Sequence, residues 1–259
     1  MLFCVDIGNT QIALGVYDGT ADGPRPAVVR DWRMRTDPRM TSDELEVAFD
    51  GLLGKYAPHV DGVAALSTVP SLLRELRMML DRRGGPHVIV GPGVRTGVPL
   101  LVDNPREVGA DRVMNTLAAH AIFGTTCVVV DFGTSTNIDV VSAKGEFLGG
   151  ALAPGIEISM DALASRAAAL RTVELVAPRA VIGKNTVECL QSGVLYGFAG
   201  QVDGLVRRIV AELGRKAGPV TVIGTGGLAP VMTGISETIT EYVPDLTLAG
   251  LRLTYLRNT

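Results

Sequence analysis

One short pattern occurs twice in the chain, and it constrains the possible fold more than any other feature. Residues 2–10 read LFCVDIGNT and residues 127–136 read CVVVDFGTST. In each copy an apolar strand ends on an aspartate, and a glycine turn with polar side chains follows. A second apolar strand then runs over 12–17 or 138–141. Asp6 and Asp131 lie 125 residues apart (131 − 6), about half of the 259-residue chain, which predicts a duplicated fold.

The residue types in these two turns indicate a phosphate ligand. Backbone N–H groups at such a turn bind phosphate oxygens, and the carboxylate can hold the accompanying divalent cation. Two ordinary hairpins with aspartate and glycine in turn positions are the alternative interpretation. Because the pattern is repeated half a chain apart, we favour two turns that face one ligand.

Helical and strand patterns alternate along the first half, which predicts an α/β fold with parallel strand pairing. A helix is predicted from Thr41, where Glu44 stands at capping-box spacing, and another from Pro70. Residues 92–111 are rich in glycine and proline and predict a loop that leads into a helix over 112–123. We place the boundary between two domains, 1–115 and 116–259, near this loop.

The second half begins with the repeated turn and ends in helices. Residues 149–155, GGALAPG, predict a flexible loop before a helix over 156–170, and residues 246–256 predict a final helix. The longest helical pattern, 186–216, contains Gly193, Gly197, Gly200 and Gly204. A glycine costs about 1 kcal/mol in a helix relative to alanine, which predicts close backbone contact there. The contact can be with a neighbouring helix, another subunit or the substrate.

Composition excludes several classes of function. A net charge of −3 gives no basic patch for nucleic acid. The three cysteines form no CxxC pair, so a reducing cytoplasmic compartment fits better than a disulfide framework. No apolar stretch is long enough to span a bilayer, and the first residues do not resemble a signal peptide. We therefore expect a cytoplasmic protein without a membrane or nucleic-acid partner.

Three further motifs have more than one interpretation. GTGGLA at 224–229 matches a dinucleotide fingerprint, but its place near the end of the sequence favours a glycine turn against an adenosine. GKNT at 183–186 lacks the leading glycine of a P-loop. GADR at 109–112 offers Asp111 as an acceptor for a hydroxyl proton and Arg112 as a clamp for a carboxylate. A helix N-terminus with a surface ion pair is the alternative for GADR.

Eight short motifs together resemble the type III pantothenate kinases, within the acetate and sugar kinase/Hsp70/actin superfamily. They occur in that family's order and cover nearly the whole chain: DIGNT at 6–10, NPREVGADR at 104–112, DFGTST at 131–136, GGALAPG at 149–155, IGKNT at 182–186, QSG at 191–193, TGGLA at 225–229 and LTLAGL at 246–251. One departure is Val102, where the family usually has tyrosine in contact with pantothenate.

The resemblance implies ATP-dependent phosphorylation of pantothenate, the first step of coenzyme A synthesis. It implies two RNase H-like (actin-like ATPase) domains, with mixed sheets flanked by helices in duplicated βββαβα-type halves, and a homodimer. Asp111 would be the general base, Asp6 would lie near magnesium, and Asp131 would coordinate a monovalent cation, potassium or ammonium. The remaining implied ligand contacts are, for ATP, Asp6, Ile7, Gly8, Asn9, Thr10, Gln11, Ile12, Ala13 and Thr134, and, for pantothenate, Gly109, Ala110, Asp111, Arg112 and Thr186.

Three other functions compete with this one. A non-catalytic regulator of the same fold would be expected to lose a base or a phosphate turn, whereas Asp6, Asp111 and Asp131 are all present. A kinase for another small alcohol would use the same residues. A dinucleotide-dependent oxidoreductase rests on the GTGGLA motif alone.

Overall fold

The computed structural model describes residues 1–18, 23–25, 27–166 and 173–259. Its regular elements are β1 (Leu2–Ile7), β2 (Gln11–Tyr17), β3 (Val28–Arg35), α1 (Ser42–Leu53), β4 (Gly62–Ser67), α2 (Pro70–Arg83), β5 (His87–Ile89), α3 (Ala110–Phe123), β6 (Thr126–Phe132), β7 (Ser135–Val141), β8 (Phe147–Pro154), α4 (Ile156–Arg166), α5 (Thr186–Leu213), β9 (Val220–Thr225), α6 (Ala229–Thr233), β10 (Glu241–Tyr242) and α7 (Leu246–Asn258). Short 3₁₀ turns occur at Gly54–His59, Pro105–Glu107 and Arg215–Ala217.

The chain forms two compact units. The first consists of Met1–Pro99, Asp103–Ile122 and Leu246–Thr259, and the second of Leu100–Val102 and Phe123–Asp245. The division follows Ile122, near the end of α3, whereas the sequence analysis placed it near residue 115, inside that helix. The final helix also returns to the first unit, because α7 packs against β1 and β4.

The first unit is built on a five-stranded mixed sheet in the order β3-β2-β1-β4-β5. The first three strands pair antiparallel, and β4 and β5 run parallel to β1. The central strands β1 and β4 are almost fully buried, in agreement with their continuous apolar sequence. The edge strand β3 exposes its three arginines to solvent, whereas Trp32 and Met34 are half-buried.

The sheet of the second unit repeats this topology. Its order, β10-β9-β6-β7-β8, becomes that of the first sheet when β6 is matched with β1 and β9 with β4. The pair β6–β7 is antiparallel and the pair β6–β9 is parallel, as in the first unit. The predicted duplicated α/β architecture with mixed sheets flanked by helices is therefore confirmed.

Each sheet has its own apolar core. In the first unit, Phe3 of β1 and Leu14 of β2 lie in one buried cluster with Phe49 of α1. The capping box predicted at the start of α1 is confirmed, since Thr41 and Glu44 cap each other. In the second unit, α5 contributes Leu195 and Val202 to a core with the valines of β6.

The prediction of a loop at 149–155 is wrong, because residues up to Pro154 belong to β8, which pairs with β7. A side chain at position 150 would collide with the carbonyl oxygen of Ile138. The glycine therefore permits close approach of two strands where the sequence pattern indicated a break. The predicted helix over 156–170 begins at Ile156, and residues 167–170 lie outside the described residues.

Within the described residues, no helix is both long enough and apolar enough to pass through a bilayer.

Candidate active site

The first turn of the duplicated pattern joins β1 to β2. Asp6 is half-buried near the end of β1, where it pairs across the sheet with Ala13 of β2. The N–H of Gly8 donates to the carbonyl of Gln11 at 3.0 Å, and this hydrogen bond closes the turn. Asn9 and Thr10 are exposed between them. The turn thus presents a carboxylate and polar side chains at the end of a buried strand.

Thr36, which the sequence analysis missed, supports this turn from the end of β3. Its hydroxyl donates to the carbonyl of Gly8 at 2.7 Å, and its backbone N–H donates to the carbonyl of Thr10 at 3.0 Å. These two carbonyl oxygens would repel an anion if they faced it. Because Thr36 binds them, the turn can direct its N–H groups toward an anion instead. The signal for Thr36 was available only through strand pairing, since Gln11 and Arg35 are opposite each other in the β2–β3 register.

The second turn joins β6 to β7 in the other unit. Asp131 is half-buried one residue before the end of β6, and the N–H of Gly133 donates to the carbonyl of Ser135 at 3.1 Å. The N–H of Gly155, after β8, donates to the carbonyl of Thr134 at 3.1 Å. A side chain at position 155 would lie 2.5 Å from the carbonyl oxygen of Gly133, so a glycine is required there. The turn is therefore held on one side by the GGALAPG segment.

Gly226 lies directly beside the Asp131 carboxylate. The parallel pairing of β6 and β9 places Thr225 opposite Asp131, and Gly226 follows with a φ of +91°. A Cβ atom at position 226 would lie 2.5 Å from Oδ1 of Asp131 and 2.7 Å from the carbonyl oxygen of Phe132. The glycine of the GTGGLA motif therefore lets its backbone pass close to a carboxylate, a role that the sequence analysis did not assign.

The family resemblance implies a monovalent cation at Asp131, and the oxygen atoms around this residue are of a suitable type. A side-chain carboxylate and a neighbouring backbone carbonyl are hard oxygen donors, which suit alkali and alkaline-earth ions. Any side chain at position 226 would collide with both of these oxygen atoms. In the described part of the chain, no cluster of three or more histidine, cysteine or acidic side chains is arranged for metal binding.

GADR forms the beginning of α3 in the first unit. The N–H of Val113 donates to the carbonyl of Gly109 at 3.2 Å, so the helix begins immediately after this glycine. A side chain at position 109 would collide with Oδ1 of Asp111. Asp111 is an acidic residue in the first turn, which the helix dipole favours, and both it and Arg112 are half-buried. Gly109 thus leaves room for the carboxylate at the start of the helix.

Thr186 is the first residue of α5, and the start of this helix is stabilised by a side-chain cap and by hydrogen bonds to Glu188. The Asn185 side chain caps the helix by accepting from the N–H of Glu188 at 3.0 Å. The backbone N–H of Lys184 and the guanidinium of Arg179 both donate to Glu188 and lower the pKa of its carboxyl. Thr186 itself is exposed.

The predicted site residues divide between the two units. Those of residues 6–13 and 109–112 belong to the first unit, whereas Asp131, Thr134 and Thr186 belong to the second. Val102 lies in the short 100–102 segment of the second unit, and a side chain at Gly149 would lie 3.6 Å from its Cγ1.

Comparison with known proteins matches the chain to one family. The family model described as type III pantothenate kinase matches residues 2–208. A type III pantothenate kinase of Saccharopolyspora erythraea is 72% identical, over 100% of this chain and 99% of that protein. The protein of the same name from Rhodococcus opacus is 64% identical, over 100% of this chain and 96% of its own length.

A solved structure shares the fold at low identity. Component A of the (R)-2-hydroxyglutaryl-CoA dehydratase of Acidaminococcus fermentans superposes with a TM-score of 0.57. The alignment covers 100% of this chain and 99% of that chain, with 14% identity. The likeness extends to the duplicated α/β architecture.

Proposed function

The chain belongs to the type III pantothenate kinase family, and on that premise we propose that it transfers the terminal phosphoryl group of ATP to the primary hydroxyl of pantothenate. The products are 4'-phosphopantothenate and ADP, and the reaction is the first step of coenzyme A synthesis. The structural observation that carries the proposal is the equivalence of the Asp6 and Asp131 turns in the two sheets. Two ordinary hairpins would not require Thr36, Gly155 and Gly226 to support these turns.

In this reaction the first turn binds ATP. Backbone N–H groups along residues 6–13 would contact phosphate oxygens, with Thr36 holding the carbonyls of Gly8 and Thr10 away. Thr134 of the second turn would also contact ATP. The protein has little covalent chemistry to perform in phosphoryl transfer, so positioning and charge neutralisation account for most of the catalysis.

Pantothenate is bound by Gly109, Ala110, Arg112 and Thr186, and Asp111 is the general base. The guanidinium of Arg112 suits the carboxylate of pantothenate, because it can donate two parallel hydrogen bonds. The hydroxyl oxygen of pantothenate forms a bond to the terminal phosphorus as the bond from that phosphorus to the bridging oxygen of ADP breaks. The hydroxyl proton passes to Asp111. An ordinary carboxylate suffices for this step, because the alcohol loses its proton late in a loose transition state.

Two cations are part of the proposal. Asp6 would hold magnesium and Asp131 would hold potassium or ammonium, together with the carbonyl oxygen of Phe132 beside it. When bound, these ions would neutralise part of the negative charge on the phosphates. Magnesium suits the Asp6 turn because it commonly binds through one or two carboxylates together with substrate phosphates.

The glycines of α5 support a homodimer. Gly193, Gly197, Gly200 and Gly204 recur at spacings of four, three and four residues, which places them on one helix face. Apart from the nearby backbone of α5 itself, no atom of the described residues lies within 4 Å of the Cβ position of any of them. Packing among the described residues therefore does not account for these glycines, and a second copy approaching this face would. Three of the four are exposed, as are Val181 and Ile182.

The dimer is tested by filling this face. Gly200→Leu should shift the protein toward the monomer in analytical ultracentrifugation, whereas Gly51→Leu, at an open position on α1, should not. A Gly200→Leu protein with an unchanged sedimentation coefficient would argue against a dimer through α5. We also propose a cytoplasmic location, which the three free cysteines support.

The decisive test of the function is a coupled ADP-release assay with pantothenate, magnesium and potassium. We expect turnover with pantothenate, and we expect Asp111→Asn to lower kcat by about 10²-fold to 10⁴-fold without loss of folding. Asp103→Asn, an exposed acid outside the proposed site, is the matched control. Absence of turnover with every monovalent cation would exclude the proposed reaction.

A panel of other small alcohols separates the alternatives. Preference for another alcohol would assign a different substrate to the same fold. Nucleotide binding without any turnover would favour the non-catalytic regulator, although Asp6, Asp111 and Asp131 are all present. NAD binding in calorimetry would be required for an oxidoreductase.

A further inference from the structure

The LTLAGL segment at 246–251 has no role in the proposed chemistry, yet it makes an unusually close contact with α3. Gly250 is buried in the interior of α7, where glycine costs about 1 kcal/mol relative to alanine. A Cβ atom at this position would lie 2.7 Å from the carbonyl carbon of Met114 and 2.8 Å from its Cα. The two helices therefore touch backbone to backbone, which only a glycine allows.

Two hydroxyl groups on α7 reach the same part of α3. The Thr247 hydroxyl donates to Oδ1 of Asn115 at 2.9 Å, and the Thr254 hydroxyl contacts Sδ of Met114 at 3.1 Å. Thr247, Gly250 and Thr254 are spaced by three and four residues and so lie on one face of α7. Met114 and Asn115 stand three and four residues after Asp111, about one helical turn. The contacts therefore support the turn of α3 that follows the proposed base.

The end of α7 holds the other flank of the same segment. The Asn258 side chain accepts from the N–H of Arg95 at 3.0 Å and donates to the carbonyl of Arg95 at 2.9 Å. The guanidinium of Arg257 donates to the carbonyl of Thr96. Because Arg95 precedes the NPREVGADR loop and Met114 follows it, α7 is attached to the chain on both sides of the proposed substrate residues.

We propose that α7 is the positioning element for Asp111 and Arg112, with Gly250 and Thr247 as its principal positioning residues. The inference rests on the proposed function, because it assigns these residues a part in placing the base and the carboxylate clamp. Neither Gly250 nor Thr247 touches substrate. They act by fixing the distance between α3 and α7. A shift of about 1 Å in a reacting group can lower a rate by about 10²-fold.

Gly250→Ala is the direct test, with Gly51→Ala as its matched control. Both exchange a helical glycine of the first unit for alanine, but nothing lies within 4 Å of the Cβ position at Gly51. In Gly250→Ala we expect kcat/KM for pantothenate to fall by about tenfold to hundredfold, with KM for ATP unchanged. In Gly51→Ala both parameters should stay at the wild-type value. Equal pantothenate kinetics in the two folded variants would overturn the proposal.

Thr247 provides a milder test that does not depend on tolerance of the larger residue. Thr247→Val removes the hydroxyl and keeps the shape, and it should lower kcat/KM for pantothenate by about fivefold, as expected for the loss of one hydrogen bond. Thr247→Ser should restore it. If Gly250→Ala does not fold, the two Thr247 variants test the proposal alone. Equal kinetics in Thr247→Val and Thr247→Ser would reject the positioning role.

Hydrogen exchange separates failure of this inference from failure of the proposed function. Amides of residues 110–115 should exchange faster in Thr247→Val than in Thr247→Ser, whether or not pantothenate is the substrate. Equal hydrogen exchange in the two variants would overturn the inference that α7 fixes the position of α3. Absence of pantothenate turnover in the wild-type protein would instead reject the proposed function. The contact between α7 and α3 would then have no catalytic role.

Discussion

Replacing Gly226 with alanine should distort the Asp131 turn and lower both stability and catalytic efficiency. The added Cβ would lie 2.5 Å from Oδ1 of Asp131, about 0.9 Å short of the 3.4 Å at which ordinary contact begins. It would also lie 2.7 Å from the carbonyl oxygen of Phe132, which belongs to the backbone and cannot turn away by side-chain rotation. The carboxylate must therefore move, and the end of β6 must move with it.

Two separate costs follow from this geometry. The φ of +91° at Gly226 is unfavourable for an L-residue by about 1–2 kcal/mol. Displacement of the carboxylate by close to 1 Å should in addition lower catalytic efficiency by about 10²-fold, if Asp131 holds a cation that the reaction uses. The half-activating concentration of potassium should rise at the same time.

Gly124→Ala separates the two costs. Gly124 has a φ of +63° in the same unit, and nothing lies within 4 Å of its Cβ position. This variant should lose about 1–2 kcal/mol of stability through backbone strain alone and keep wild-type kinetics. The measurements are denaturant unfolding and the ADP-release assay over a series of potassium concentrations. Equal activity and equal potassium dependence in Gly226→Ala and Gly124→Ala would refute the argument.

Two other perturbations test the support of the turns and the fold around them. Thr36→Val should raise KM for ATP by about fivefold through the loss of the hydroxyl that holds the Gly8 carbonyl, with KM for pantothenate unchanged and Thr36→Ser near wild type in steady-state kinetics. Burial opposes ionisation of Asp203, but hydrogen bonds from Ser236, Glu237 and Thr238 outweigh it and lower the pKa of the carboxyl. Its contribution to stability is therefore present above about pH 4 and is lost as pH falls through the lowered pKa. Asp203→Asn should flatten the acid limb of a stability curve measured by urea unfolding between about pH 6 and pH 3, and an unchanged limb would contradict this assignment.

Local pattern was sufficient for most of the fold. Strand runs that end on Asp6 and Asp131 predicted the duplicated α/β architecture, and the capping box at Thr41 predicted the start of α1, because both signals lie within a few residues. The loop predicted at 149–155 failed for a physical reason. A glycine can mark a break in a strand or a close approach of two strands, and only the presence of β7 against Gly150 distinguishes them.

The candidate site shows the same limit. Residue types made Asp6, Asp111 and Asp131 candidates, because the proposed chemistry requires carboxylates in turns and at a helix start. The residues that contact these groups or their helix are distant from them in sequence. Thr36 supports the first turn, Gly226 borders Asp131, and Gly250 packs against α3. Gly226 and Gly250 lie in the GTGGLA and LTLAGL motifs, but the local sequence does not show which distant residues they contact, and Thr36 lies in no motif.

The sequence by itself determined the elements, their duplicated order and the chemical groups available for phosphoryl transfer. Tertiary structure alone decided which distant backbone segments approach closely enough to hold those groups in place. The physical reason is that periodicity, capping and turn preference act over a few residues, whereas steric exclusion acts between any two atoms that the fold brings together. Gly226 and Gly250 are required by neighbours that stand 94 and 136 residues away (226 − 132 and 250 − 114).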